Sequence, residues 1–295
     1  MNTQTLSMKS ISIIGLGPMG QAMAQAYLEK GYNLTLWNRT ASKAAKLREA
    51  GASLAQDLGE ALTASKLVII SLTDYDIMFN LLENYTTFFK GRTLVNLSSD
   101  TPEMARKAAE WAASHGASFL TGGVMVPPPM VATAESYVFY SGNLAVLEQY
   151  RTILEVIGRT DYKGEDPGLA LLFYQAMLDI MFTTVTGVMH ATALVGTVNV
   201  SAQSFEPYVL DFFNFMKVLM QGMGAEVDHK KYNGELNNMN MMAAGMRHVA
   251  HASHDAGVNT TVPNLIAKIY EETVAKGHGK HGINSIIEVL KESSK

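Results

Sequence analysis

The chain has 295 residues, 47% of them hydrophobic and 17% charged, with a formal net charge of −4 and no cysteine. This fits one large or two ordinary folded domains and excludes a disordered chain, and the lack of a basic surplus argues against nucleic-acid binding. Disulfides, thiolate catalysis and cysteine-ligated metals are excluded outright. The first residues, "MNTQTLSMKSISIIG", lack the basic-then-apolar pattern of a secretory signal. No apolar stretch reads as approaching the ~20 residues of a membrane span. The expectation is a cytoplasmic protein with no membrane contact.

The first half of the chain alternates between two periodicities. Short β-branched runs, "SISIIG", "NLTLW", "KLVIISL", "TLVNL" and "ASFLTGG", are separated by segments with helical spacing. Strand and helix in that rhythm imply right-handed crossovers and a parallel sheet. "SYVFYSG" and then "NLAVLEQYRTILEVIG" add another strand and helix, and "KGEDPGLA" marks a boundary. From Pro167 to Val200 the only charge is Asp179 and there is no second proline. About 30 helical residues would reach roughly 45 Å. A helix apolar nearly all round must be covered on most sides, and a partner subunit is the economical cover. The rest, "SFEPYVLDFFNFMKVLMQGM", "NNMNMMAAGMRHVAHASHDAG" and "TVPNLIAKIYEETVAKGHG", is helical in pattern. The expected layout is α/β: a nucleotide-binding domain over 1–164, a long interdomain helix over 165–198, and an all-α dimerisation and substrate domain over 199–295.

Gly15, Gly17 and Gly20 form G-x-G-x-x-G between a predicted strand and a predicted helix, the context of a Rossmann dinucleotide fingerprint. Gly15 allows the tight turn, Gly17 leaves room for a pyrophosphate, and Gly20 lets helix and strand pack closely. Leu16, Pro18 and Met19 complete the loop, and the helix start faces the anion with free N–H groups. An NAD site keeps an acidic residue at the end of the second strand. Here that place is held by Asn38, Arg39 and Thr40, with Lys43 one turn on. A guanidinium can bind a 2′-phosphate bidentately and stack on adenine, so the expected cofactor is NADPH. Later strand ends add Ser71, Leu72 and Thr73, then Asn96 and Ser98, with Thr101-Pro102-Glu103 opening a helix. Asn96 is read either as a contact to the nicotinamide ribose or substrate, or as a strand-end cap.

At this point the sequence resembles the imine reductases, within the wider β-hydroxyacid dehydrogenase and 6-phosphogluconate dehydrogenase relatives. The likeness is carried by "ISIIGLGPMGQAMAQAYLEKGYNLTLWNRTASKA", "TLVNLSSDTPEMAR", "GGVMVPPPMVATAESYVFYSG", "DPGLALLFYQAMLDIMFTTVTGVMHATALV", "HASHDAGVNTTVPNLIAKI" and "KGHGKHG", almost the whole chain. The resemblance implies NADPH-dependent reduction of cyclic imines by a homodimer of the domain-swapped type, with the site at the subunit interface. It adds Met125 and Val126 to the cofactor side and Pro127 to the substrate pocket. β-Hydroxyacid dehydrogenases carry a lysine on the linking helix, and this helix has none; the matching position is Tyr174. By the resemblance, that phenol faces the substrate nitrogen, and the tyrosine form is associated with (S)-selective members. A cyclic imine is partly protonated near neutral pH, so a phenol with an ordinary pKa near ~10 need only orient the iminium or relay a proton.

Asp179 is the rival catalytic group, about 140° around the helix from Tyr174, or else a buried carboxylate held by a structural hydrogen bond. Phe212, Phe213, Phe215, Asp228, Met239, Met241 and Met242 are candidate pocket walls contributed from the partner subunit, although a core stripe explains them equally well. His190 reads as a satisfied core or interface histidine. His248, His251, His254, His278 and His281 show no metal-binding arrangement, so no metal is expected. Two other functions stay open: a dehydrogenase of a small hydroxy acid, against which the missing lysine counts, and a non-catalytic NADPH-binding protein.

Overall fold

The computed structural model describes residues 9–291. The chain divides into two compact units that meet at Asp179 and Ile180.

The first unit is an eight-stranded sheet flanked by helices. Its strands are β1 Ser10–Ile14, β2 Asn33–Trp37, β3 Ser53–Leu54, β4 Leu67–Ile70, β5 Thr93–Asn96, β6 Ser118–Val124, β7 Tyr137–Gly142 and β8 Arg159–Gly164. The spatial order is β3-β2-β1-β4-β5-β6-β7-β8. Crossover helices are α1 Pro18–Glu29, α2 Ala45–Glu49, α3 Leu58–Thr63, α4 Tyr75–Leu82, α5 Pro102–Ser114 and α6 Leu144–Leu154. The strand order turns back on itself where β1 lies between β2 and β4, which is the switch point where such sheets take ligands.

The central strands are buried on both faces because their residues alternate between two cores. On β4, Leu67 and Ile69 join the cluster that holds Met23, Tyr27 and Leu147, whereas Val68 and Ile70 join the one that holds Met78, Phe89 and Ala108. This explains continuous apolar runs where a one-faced sheet would show alternation.

Three features depart from the sequence reading. The sheet is not wholly parallel: β7 runs antiparallel to β6, because the segment between them holds only a three-residue 3-10 turn at Pro128–Met130 and no crossover helix. β3 and β8 are additional strands. The third concerns α7, Leu169–Gly196, a single helix of 28 residues. By length and composition it could cross a membrane, against the expectation that no stretch approaches that size.

The second unit contains the later part of α7 followed by α8 Ala202–Leu219, α9 Met223–His229, α10 Met239–Asp255, α11 Thr261–Thr273 and α12 Ile287–Leu290. α10 and α11 pack as a hairpin around Ala243, Ala250, Ser253 and Ala267, with Arg247 and Glu271 paired at 2.8 Å on its surface. His190 of α7 bonds the Asn259 carbonyl at 3.0 Å, in keeping with a satisfied structural role.

Candidate active site

The glycine loop is built by close approach. Gly15 has φ +100°, and a Cβ there would stand 2.1 Å from the Ser71 carbonyl oxygen. A Cβ on Gly20 would stand 2.1 Å from the Gly15 carbonyl oxygen. Both positions therefore exclude any side chain. Gly17 differs, since a Cβ there would meet nothing within 4 Å. The space beside Gly17 is open, and it lies at the start of α1, where Gly17 is the N-cap and no side chain caps the helix. Orphan N–H groups and a positive dipole end thus border an empty space of the kind a pyrophosphate fills.

Around this point lies a cavity of about 430 Å³ lined by Gly15, Gly17, Pro18, Met19, Trp37, Asn38, Arg39, Thr40, Lys43, Ser71, Leu72, Thr73, Ile77 and Leu81. Eleven of these were expected from the sequence. Trp37, Ile77 and Leu81 were not: Trp37 ends β2, and Ile77 and Leu81 stand one turn apart on α4. Arg39 and Lys43 are exposed at the cavity rim. Among the described residues the lining holds cations and no carboxylate. The donors, the open glycine and the rim charges fit a phosphate-rich dinucleotide.

Asn38, one of these lining residues, also braces the loop. Its Oδ1 accepts from the Leu16 N–H at 2.9 Å and its Nδ2 donates to the Thr40 carbonyl at 3.0 Å. It ties the glycine loop to the end of β2, which leaves Arg39, Thr40 and Lys43 to meet a ligand at that rim. Asn96 is likewise a pin. It is wholly buried, accepts from the Ser98 N–H at 3.0 Å and donates toward Met78 Sδ at 3.2 Å. Of the two roles read from the sequence, this geometry is the strand-end cap. Ser98 Oγ in turn accepts from the Leu72 N–H at 3.0 Å, so the loop after β5 is fastened to the wall of the cavity. Thr101 caps α5 by accepting from the Met104 N–H.

The next residue of that loop, Ser99, meets α7. Its hydroxyl oxygen accepts from Gln175 Nε2 at 3.2 Å, and the same amide donates to the Asp100 carbonyl at 2.9 Å. Tyr174 is half-buried, and its ring packs on Gly123, where a Cβ would come within 2.8 Å of the ring. Burial pushes the phenol above its ordinary pKa of 10.0, and the neighbouring Ser99 hydroxyl opposes that shift. The phenol is therefore neutral at physiological pH and can donate a proton. Neither Ser99 nor Gln175 was expected, because an isolated serine and glutamine carry no sequence pattern.

The beginning of α7 is held firmly. Arg106 grips Asp166 bidentately at 2.9 and 2.8 Å, and Asp166 Oδ1 also accepts from the Gly168 N–H. Ser141 Oγ donates to the Pro167 carbonyl and accepts from the Ala170 N–H.

The other expected residues are more dispersed. Asp179 is exposed on this chain, so the anticipated buried carboxylate is not found. Met125 and Val126 are partly buried and Pro127 is exposed, and none of them lines the glycine-loop cavity. Met239 is fully buried in the core of the second unit and presents no surface to a ligand there. Met241 and Phe215 are exposed, and Met242 is intermediate. Phe212 and Phe213 line an apolar groove of about 860 Å³ in the second unit, with Ile180, Val185, Tyr208 and Met216. Asp228 lies on α9, outside that groove.

Comparison with known proteins accords with this architecture. Residues 10–165 match the NAD-binding domain of 6-phosphogluconate dehydrogenase, and residues 166–292 match the NADPH-dependent reductive aminase-like C-terminal domain. An NADPH-dependent reductive aminase from Aspergillus oryzae is 32% identical over 287 residues, covering 96% of this chain and 97% of that one. An imine reductase structure from Streptomyces aurantiacus is 43% identical with a TM-score of 0.91, covering 96% of this chain and 100% of that one. A reductive aminase from Aspergillus terreus, in complex with NADPH and ethyl-5-oxohexanoate, is 33% identical with a TM-score of 0.92, covering 96% and 99%. The chain belongs to the NADPH-dependent imine reductase and reductive aminase family, among the 6-phosphogluconate dehydrogenase relatives.

Proposed function

We propose that this protein reduces the C=N bond of cyclic imines and iminium ions to amines with NADPH, Tyr174 orienting or protonating the substrate nitrogen. The observation that carries the reading is the phenol itself. A neutral, half-buried tyrosine on α7 packs on Gly123 of β6, and its neighbour Gln175 is hydrogen-bonded to the loop after β5, the same loop whose Ser98 is fastened to the cofactor cavity.

When bound, NADPH supplies a hydride to the imine carbon. The chain's own residues do the rest. The uncapped start of α1 and the open side of Gly17 receive the pyrophosphate, and Arg39, Thr40 and Lys43 receive the 2′-phosphate. Ile77 and Leu81 offer apolar cover for the adenine. Tyr174 provides a donor at nitrogen without a charged base, as expected when the substrate arrives partly protonated. Positioning alone can lower such a barrier by about 7–11 kcal/mol. A hydroxy acid dehydrogenase needs a base to take the alcohol proton, and the tyrosine on α7 is neutral near pH 7.

We further propose that the working form is a cytoplasmic homodimer in which the partner subunit completes the substrate pocket. α7 buries only Ala170 and Leu171 on this chain, while Phe182 and Met189 are more than half exposed. Such a surface calls for a second protein surface. The test is NADPH consumption with 2-methyl-1-pyrroline, set beside 3-hydroxyisobutyrate with NADP and a control without substrate. Turnover of the pyrroline alone supports the proposal. Oxidation of the hydroxy acid without imine turnover overturns it in favour of the dehydrogenase reading.

A further inference from the structure

The first unit carries a second cavity at the opposite end of its sheet from the glycine loop. It measures about 460 Å³ and lies among the first residues of β1, β4, β5 and β6, beside α6. The glycine-loop cavity gathers around the far ends of β1, β2 and β4, and the two share no lining residue. The four residues of β4 alone separate them by roughly 13 Å. Lys66 and Arg92 line this second cavity, and no carboxylate does. Arg106, Arg151 and Arg247 each hold a carboxylate; Arg92 and Lys66 hold none among the described residues. Arg92 is partly buried, and its Nε is fully buried with no acceptor. A donor left in that state is unfavourable, and a bound ion accounts for it. Lys66 curls over the neighbouring turn, its Nζ 4.0 Å from where a Cβ of Gly91 would stand.

The backbone around the cavity has spent its donors. The Thr93 N–H donates to the Lys66 carbonyl, the Ser118 N–H to the Arg92 carbonyl, and the Gly91 N–H to the Gly116 carbonyl. Recognition of a ligand therefore falls to the two cations and to the hydroxyls of Ser10, Thr93 and Ser118. A guanidinium fork, an ammonium and hydroxyl donors with no competing carboxylate suit a phosphate group. The volume lies within the roughly 300–1,000 Å³ of small-molecule sites, and Tyr150 and Ile153 of α6 add apolar wall. We propose that this cavity is a second anion site, separate from the cofactor's, in which Arg92 and Lys66 bind a phosphate group, either free or as a phosphomonoester.

The test is isothermal titration of the NADP-saturated protein with inorganic phosphate and with phenyl phosphate, in chloride buffer of matched ionic strength. Saturation with NADP fills the glycine loop, so that its own affinity for phosphate does not enter. The wild type should bind one ion per chain. Arg92→Gln and Lys66→Gln should each weaken that binding at least about tenfold, the effect of losing one charge-assisted hydrogen bond. Lys107→Gln removes an equal charge from an exposed position on α5 and should leave the affinity within about twofold. Affinity for NADPH and the Tm without phosphate check that each variant folds. Lys66 is itself exposed, so Lys66→Gln tests the site without disturbing the core. Tighter binding of phenyl phosphate assigns the site to an ester, and equal binding assigns it to the free ion; both are the proposed chemistry. No binding to the NADP-saturated wild type overturns the proposal. So does binding that Arg92→Gln and Lys66→Gln both retain, which would mark an adventitious ion only.

Discussion

Arg39→Glu should change which nicotinamide cofactor the protein prefers. Arg39 stands exposed at the rim of the 430 Å³ cavity. Asn38 beside it is already committed to Leu16 and Thr40, so most of the recognition of a 2′-phosphate falls to this guanidinium and to Lys43. A charge-assisted pair is worth about 1.5–3 kcal/mol, and exposure to solvent places this one near about 1.5. Reversing the charge adds repulsion of about 1 kcal/mol at contact distance in a water-like dielectric. The sum of about 2.5 kcal/mol is roughly a 70-fold rise in the KM for NADPH. NADH has no phosphate there, so its KM should move by no more than about threefold. Initial rates at 340 nm with both cofactors measure this directly. Equal increases for the two would show that Arg39 supports the loop and does not read the phosphate.

Three other outcomes follow from the geometry. Gly17→Ala should fold with a near-normal Tm yet bind NADPH poorly, because its methyl enters open space that the pyrophosphate needs; Gly15→Ala should lower Tm, since its methyl collides with the Ser71 carbonyl, and thermal melts with and without NADPH separate the two. Val185→Asp with Phe212→Asp, both in the apolar groove of the second unit, should yield a monomer by light scattering where the parent gives the proposed dimer, and should abolish turnover. Arg106 holds the Asp166 carboxyl below its ordinary value of 3.8. This contribution to stability is therefore present above about pH 4 and lost as pH falls through the lowered value. Asp166→Asn should accordingly flatten the acid limb of a Tm–pH profile below about pH 4 while lowering Tm at pH 7.

What the sequence disclosed followed from how local each signal is. Gly15, Gly17 and Gly20 act within six residues of chain, between a strand and a helix, so their spacing states their purpose. β8 was hidden because "RTDYKG" is an edge strand carrying charges, where Lys163 pairs with Asp161 at 2.9 Å; such charges guard an edge and erase the apolar pattern. β3 has only two residues. The antiparallel turn of β7 was legible in principle, since "VMVPPPMVATAE" has no helical period, but the rhythm of the preceding units masked it. Asn38 and Asn96 were found by position, yet their hydrogen bonds run to residues 22 and 18 places away and to immediate neighbours, which no motif encodes. Ser99 and Gln175 lie 76 residues apart and meet only because α7 begins beside the loop after β5.

The account stands most directly on the chemistry of residue 174. Rapid mixing of NADPH-loaded protein with 2-methyl-1-pyrroline, followed at 340 nm through one turnover, isolates the reduction from product release. Tyr174→Phe should bind NADPH as wild type does and slow that single turnover at least tenfold. A variant that reduces the pyrroline as fast as the parent would show that nitrogen receives its proton from another group.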